Sequence, residues 1–212
     1  MKYNIGIDFD NTIVSYDNIM HKTAVEWGLI DSKFKRNKKE IRDKIRQLSE
    51  GETAWQKIQI YVYGKAMSRA VLVEGVIDFF HACKNAGIPA FIISHKTEYA
   101  RLDKDNINLR DAALSWMKSN NFFKEEGLGL SRDQVYFEST RQEKINRIKQ
   151  LGCTHFIDDL EETFLEESFP QNVERILYTS MKTDLARSGV KVFGRWEEIQ
   201  AYLFKQTALK ND

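Results

Sequence analysis

Asp8 and Asp10 stand two residues apart at the end of an apolar run, YNIGIDFDNTIV, residues 3–14. Side chains two apart on an extended strand share a face, so both carboxylates converge on one point. Like charges so close disfavour each other unless a cation or a shared proton intervenes. A strand that finishes this way implies a metal, a proton or both. Other polar residues follow apolar runs in the same manner. Ser94, His95 and Lys96 follow Phe91–Ile93, while Asp158 and Asp159 follow Phe156–Ile157. Lys144 lies in the opening turn of the helical pattern before that last run. If the runs are parallel strands, ligands bind outside their carboxyl ends. Three or four carboxylates, a hydroxyl and a lysine from distant parts of the chain then meet at one site.

The elements that must position these groups alternate. Strand-like runs occur at Tyr3–Asp8, Pro89–Ile93, Val135–Phe137, His155–Ile157, Arg175–Tyr178 and Val190–Phe193. Between them, Val76, Phe79, Phe80 and Cys83 follow the spacing of a core-facing helix that Gly87 can cap. Leu109, Ala113, Trp116 and Met117 repeat the pattern, as do Ile145 with Ile148, and Trp196, Ile199 and Leu203. This alternation predicts an α/β fold, a parallel sheet with helices on both faces. One stretch breaks it. From Ser15 to about Leu72 the pattern is helical only, with stripes at Ile41, Ile45 and Leu48 and at Trp55, Ile58 and Val62. The expected organisation is a core of residues 1–14 and 73–212 with a small helical insertion at 15–72. Lys33, Lys35, Arg36, Lys38, Lys39, Arg42, Lys44 and Arg46 crowd its first stripe and read as a solvated face. The polar segment Thr97–Asn108 reads as a loop near the strand ends, with His95 and Lys96 shaping it.

A chain of 212 residues suits one generous domain, or a core with a smaller insertion. Its formal net charge of +1 gives no global attraction to nucleic acid or to an anionic membrane. No apolar run is long enough to span a bilayer. The first apolar stretch stops at Asp8, unlike a signal peptide. Cys83 and Cys153 lie far apart with no Cys/His cluster near either, which predicts core thiols in a reducing compartment and a cytoplasmic location.

Taken in order, DFDNT, the strand-ending Ser94, Lys144 and HFIDD resemble the haloacid dehalogenase (HAD) superfamily of phosphohydrolases. The resemblance covers essentially the whole chain, and the insertion is similar in position to that family's cap between its first and second motifs. It implies a Rossmann-like core and a magnesium-dependent phosphatase acting on a small phosphorylated metabolite, a sugar phosphate or a nucleotide-like compound. The stretches FIISHKTEYA and HFIDDLEET are further similar to HAD phosphatases associated with surface-polysaccharide pathways. On this resemblance Asp8 is the nucleophile and forms an aspartyl phosphate, splitting one hard displacement into two. Asp10 is the general acid and base. Mg2+ takes oxygen ligands from Asp8, the Asp10 backbone carbonyl and Asp158, with Asp159 or Glu162 as the ancillary metal residue. Ser94, Lys144 and Asn11 bind the phosphoryl group, and Lys144 keeps Asp8 ionised.

Each assignment has a plainer alternative. Lys149 and Arg141 compete with Lys144, and Asp158 or Asp159 can cap the next helix. A response-regulator receiver shares the residue types, but its acidic pair comes early and its phosphorylated aspartate at a middle strand. A HAD-fold binding protein without catalysis is a second alternative, though every motif position holds a competent residue. Phosphomutase or phosphonatase chemistry fits the same fold, whereas a carbon–halogen enzyme needs neither the second aspartate nor the metal set. GLGL at 127–130 lacks the third glycine and the preceding strand of a dinucleotide site.

Overall fold

Ile5, Gly6 and Ile7 are all buried and form strand β1 (Ile5–Ile7), as expected of a strand covered on both faces. The computed structural model describes residues 3–181, 183, 184 and 189–208. In chain order β1 is followed by β2 (Val14–Ser15), α1 (Asp17–Glu26), α2 (Lys38–Arg46), α3 (Gly51–Tyr63), β3 (Val71–Leu72) and α4 (Val76–Asn85). Then come β4 (Ala90–His95), α5 (Leu109–Ser119), β5 (Val135–Glu138), α6 (Arg141–Gln150) and β6 (His155–Asp158). The last elements are α7 (Glu161–Leu165), β7 (Glu174–Tyr178), β8 (Lys191–Phe193) and α8 (Trp196–Ala208).

Six strands pair in parallel in the order β5-β4-β1-β6-β7-β8. The chain first builds outward from β1 through β4 to β5, then crosses back to β6 on the other side of β1. That reversal puts the topological switch point at the carboxyl end of β1, where open α/β sheets bind ligands. Ile7 is level with both Ile92 and Ile157, and the Asp8 N–H donates to the Ile157 carbonyl at 2.8 Å. Each of the six expected runs is a strand of this sheet. The fold is Rossmann-like α/β.

Alternate residues separate the two faces, as the two-residue period requires. Ile5, Ile7, Ile92, Ile157 and Ile176 join one apolar cluster, while Ile93, Phe156 and Leu177 join the other with Ile145, Ile148 and Phe164. Gly6 is needed on the second face. A Cβ there would lie 2.6 Å from the Phe156 ring.

Helices α1 to α3 lie between β2 and β3, and here one expectation needs correction. Val14 and Ser15 pair antiparallel with Leu72 and Val71, so a two-stranded ribbon stands where only helical pattern was expected. Two residues per strand carry no readable period. The ribbon fastens the start of the helical segment to its finish. Ile41, Ile45, Trp55, Ile58 and Val62 are buried as their spacing predicts, but Leu48 is 37% exposed. It follows the last turn of α2, where the stripe no longer faces α3. The buried side chains of this segment are continuous with the β1 face of the sheet, through Tyr16 and Met67. Among the described residues, no helix is long and apolar enough to cross a membrane.

Candidate active site

The chain leaves β1 through a tight turn that aims the two aspartates. Phe9, between them, points the other way and is wholly buried, with its ring 5.7 Å from Trp116 and 5.9 Å from Phe137. Burying such a side chain contributes roughly 1.5–3 kcal/mol, which anchors the backbone carrying both carboxylates. The Phe9 carbonyl accepts from the N–H groups of Ile13 and Val14, and the Asn11 N–H donates to the Val14 carbonyl. Asn11 has a φ of 63°, a left-handed conformation that Asn tolerates better than most residues. The Trp196 indole, 184 residues away in sequence, donates to the Thr12 carbonyl at 3.0 Å and pins the turn to α8.

Lys144 arrives from α6. Thr140 accepts from the Glu143 N–H, and Glu143 accepts from the Thr140 N–H, a reciprocal cap that fixes where the helix begins. Lys144 then shares the inward face with Ile145 and Ile148. Its ammonium lies 2.6 Å from Asp8 Oδ1 and 2.7 Å from Asp158 Oδ2. Burial opposes that charge, yet Asp158 and Asp8 hold the ammonium above the ordinary lysine range. Its two competitors are elsewhere: Arg141 pairs with Glu166, and Lys149 is exposed.

Asp8, Asp158 and Asp159 each offer an oxygen within 4.8 Å of the others. Burial pushes the Asp8 carboxyl up to about 6, with Lys144 pulling it down and Asp158 and Asp10 pushing it further up. Burial also raises Asp159, which Lys38 lowers and Asp158 and Asp8 raise. Lys144 and Lys38 together do not neutralise three clustered carboxylates. An all-oxygen, excess-negative set fits a hard divalent cation, and such a cation relieves the repulsion. Glu162 is exposed and outside the cluster, so Asp159 is the neighbouring acid that the fold supplies.

Asp10 is placed differently. Its side chain is not in the cluster: Oδ1 accepts from the Tyr16 hydroxyl at 2.5 Å, and Oδ2 faces the Lys96 ammonium at 2.8 Å. Ser94, buried at the end of β4, lines the same cavity as Asp8, Asp10, Lys144 and Asp159, which has a volume of ≈ 260 Å³. Asn11 does not line it; its side-chain amide is enclosed with no hydrogen-bond partner among the described residues.

The cavity walls include Lys96, which the sequence assigned to shaping a loop, and residues of the helical segment. Lys96 is 4% exposed, with its ammonium 4.8 Å from the Tyr63 ring centre and 5.8 Å from that of Phe9. It is a buried cation of the site rather than a shaper of the loop. Lys38, Gln59 and Tyr63 come from the helical segment. Burial opposes charge on Lys38, and Tyr63, Asp159 and Asp10 outweigh it. Lys38 opens α2, where Asn37 accepts from the Glu40 N–H and Asp17 accepts from the Lys38 N–H, and this turns it inward. The basic helix is therefore split. Arg42 and Arg46 pair with Asp43 and Glu52 outside the cavity, while Lys38 enters it.

No protein-family model and no curated protein matches the sequence, but solved structures match the fold along nearly its whole length. A haloacid dehalogenase-like hydrolase from Streptococcus pneumoniae aligns with a TM-score of 0.62 at 17% identity, covering 95% of this chain and 98% of its own. A predicted phosphatase from Clostridium acetobutylicum gives 0.62 at 14%, covering 97% and 100%. A HAD family hydrolase from Deinococcus radiodurans, solved with bound phosphate and sodium, gives 0.59 at 16%, covering 96% of each chain. The chain has the haloacid dehalogenase fold. Within that HAD fold, sequence spacing pointed to Asp8, Asp10, Ser94, Lys144, Asp158 and Asp159, which meet at the switch point. Lys96 also follows a strand-like run and Lys38 lies on the basic helix, but a lysine in a loop or on such a helix reads as solvated until its neighbours are known.

Proposed function

We propose that this protein is a metal-dependent phosphatase of the HAD type, hydrolysing a small phosphorylated metabolite through an aspartyl phosphate. The observation that carries this reading is Asp8. It stands at the end of β1, against Lys144 and a carboxylate cluster, in a cavity that Ser94 also lines. The HAD hydrolases of like fold, one of them solved with phosphate, support it.

In the proposed cycle an Asp8 oxygen attacks phosphorus and the bond to the leaving oxygen breaks as Asp10 gives that oxygen a proton. Asp10 then takes a proton from water, the water oxygen attacks phosphorus, and the bond to Asp8 breaks, releasing phosphate and restoring the carboxylate. Ser94 donates to the phosphoryl oxygens, and Lys144 offsets their charge. Asp8, Asp158 and the Asp10 carbonyl would hold Mg2+ with Asp159 nearby, and the bound ion would supply positive charge to the transferring group. Residues 15–72 act as a cap, and Lys38, Gln59 and Tyr63 meet the part of the substrate beyond its phosphate. A cavity of ≈ 260 Å³ suits a small cytoplasmic metabolite rather than a macromolecule.

The test is nitrophenol release from p-nitrophenyl phosphate. We expect turnover with Mg2+, little with Ca2+, and none after chelation. Acid-quenched enzyme should carry base-labile phosphate. Full turnover in chelator would overturn the metal role, and absence of turnover with every divalent ion would favour a binding protein.

A further inference from the structure

We propose that Lys96 and Tyr16 are positioning residues that hold the Asp10 carboxylate away from the metal cluster. Asp10 then meets a cation only through its backbone carbonyl and keeps its side chain for proton transfer. This rests on the phosphatase reading above, which already gives Asp10 both roles, and adds to it the two side chains that keep them apart.

Asp10 is two residues from Asp8 on the same face of the turn, and a free carboxylate there would be drawn to any cation held by Asp8, Asp158 and Asp159. Yet among the described residues the oxygens that cluster within 4.8 Å of one another belong to those three, with no Asp10 oxygen among them. Both Asp10 oxygens are engaged elsewhere, one by Tyr16 and one by Lys96. Neither holder is loose. Tyr16 is wholly buried, its ring packed edge-on against Tyr63 at 4.8 Å, and its hydroxyl also lies 3.4 Å from the Met67 sulfur. Lys96 is fixed along its backbone, since its N–H donates to the Glu138 carbonyl and its own carbonyl accepts from Arg110 Nε. Arg110 is in turn anchored on the Ser139 hydroxyl. Tyr63 lies against both holders, so the clamp joins the sheet to the helical segment.

The experiment titrates the metal-free protein with Mn2+, reading free ion by electron paramagnetic resonance, and measures kcat and KM separately on good and poor leaving groups. Lys96→Met should bind Mn2+ about tenfold more tightly, as the released carboxylate joins the cluster. It should lose kcat, mostly on poor leaving groups, with KM little changed. Lys96→Arg, which keeps the ion pair, should restore much of both. Deleting a cation strengthens metal binding by itself, so the deciding comparison is the double variant. With Asp10→Asn in place, the gain from Lys96→Met should shrink to less than about threefold, since no carboxylate is left to swing. An equal gain in both backgrounds, or none in either, overturns the proposal and leaves the phosphatase reading standing. Absence of Mn2+ binding by the unaltered protein overturns both. Should Lys96→Met fail to fold, Tyr16→Phe, which removes one hydroxyl and no charge, decides through the same pairing with Asp10→Asn.

Discussion

Asp8→Asn keeps the size of the side chain but removes the attacking oxygen's charge, so turnover and the base-labile phosphoenzyme should both vanish. Asp10→Asn leaves the backbone carbonyl for the metal and leaves Asp8 able to attack. Its turnover should fall by roughly two to four decades, the range for losing general acid–base help, and by less for nitrophenolate than for an alkoxide. Indistinguishable behaviour of the two variants across leaving groups would mean a plain metal site with water as nucleophile. Lys144 offers a test on stability as well. It is 2% exposed and lies against two buried carboxylates. Lys144→Met should destabilise the metal-free protein by about 3–5 kcal/mol, the cost of leaving buried charge uncompensated. Added Mg2+ should return part of that in urea unfolding, and an unchanged midpoint would show that the ion pair contributes no net stability.

At the scale of elements, α2 presents two kinds of cation. Lys38 lines the cavity, and losing a hydrogen bond from a charged group costs about 1.5–3 kcal/mol, so Lys38→Ala should raise KM by roughly tenfold or more. Arg42→Glu and Arg46→Glu should leave kcat/KM and its salt dependence within about twofold, because surface ion pairs are weak and screened. A steep salt dependence that vanished with these two residues would return the whole helix to the site. The sequence could not make this division. The stripe of Ile41 and Ile45 was legible because burial imposes a helical period, but Lys38 turns inward through its contacts with Asp17 and Tyr63, which are tertiary. The central strands β1 and β6 were legible for the reason α2 was, since each is buried on both faces and reads as an apolar run ending in an aspartate. The ribbon of Val14–Ser15 with Val71–Leu72 was not, because it joins two short pieces separated by the whole helical segment. Lys96 shows the same limit. Its partner Asp10 is far away in sequence, and only the sheet order brings β4 beside β1.

For the molecule as a whole, protons and metal compete for one place. The Asp8 carboxyl titrates at about 6 in the fold against 3.8 in a free chain, so the folded protein holds that proton more tightly. For this group alone, metal-free stability therefore falls as pH rises from 3.8 through about 6. A divalent cation needs the carboxylate form, so its stabilisation should grow over the same interval. At a hundredfold excess over its Kd, Mg2+ should add about 2.7 kcal/mol near pH 7.5, and its effect on Tm should be distinctly smaller near pH 5. An equal shift at both would separate Asp8 from the metal. The bond from the Trp196 indole to the Thr12 carbonyl has a consequence during biosynthesis. At cellular rates a ribosome that has made Thr12 needs on the order of 10–40 s more to reach the tryptophan 184 positions on. Until β6 (His155–Asp158) is made β1 lacks one of its two neighbours, and until Trp196 is made the turn lacks its indole bond. A chain interrupted before Trp196 should therefore be inert in the nitrophenyl phosphate assay, because the turn that carries Asp8 and Asp10 lacks its tie to α8.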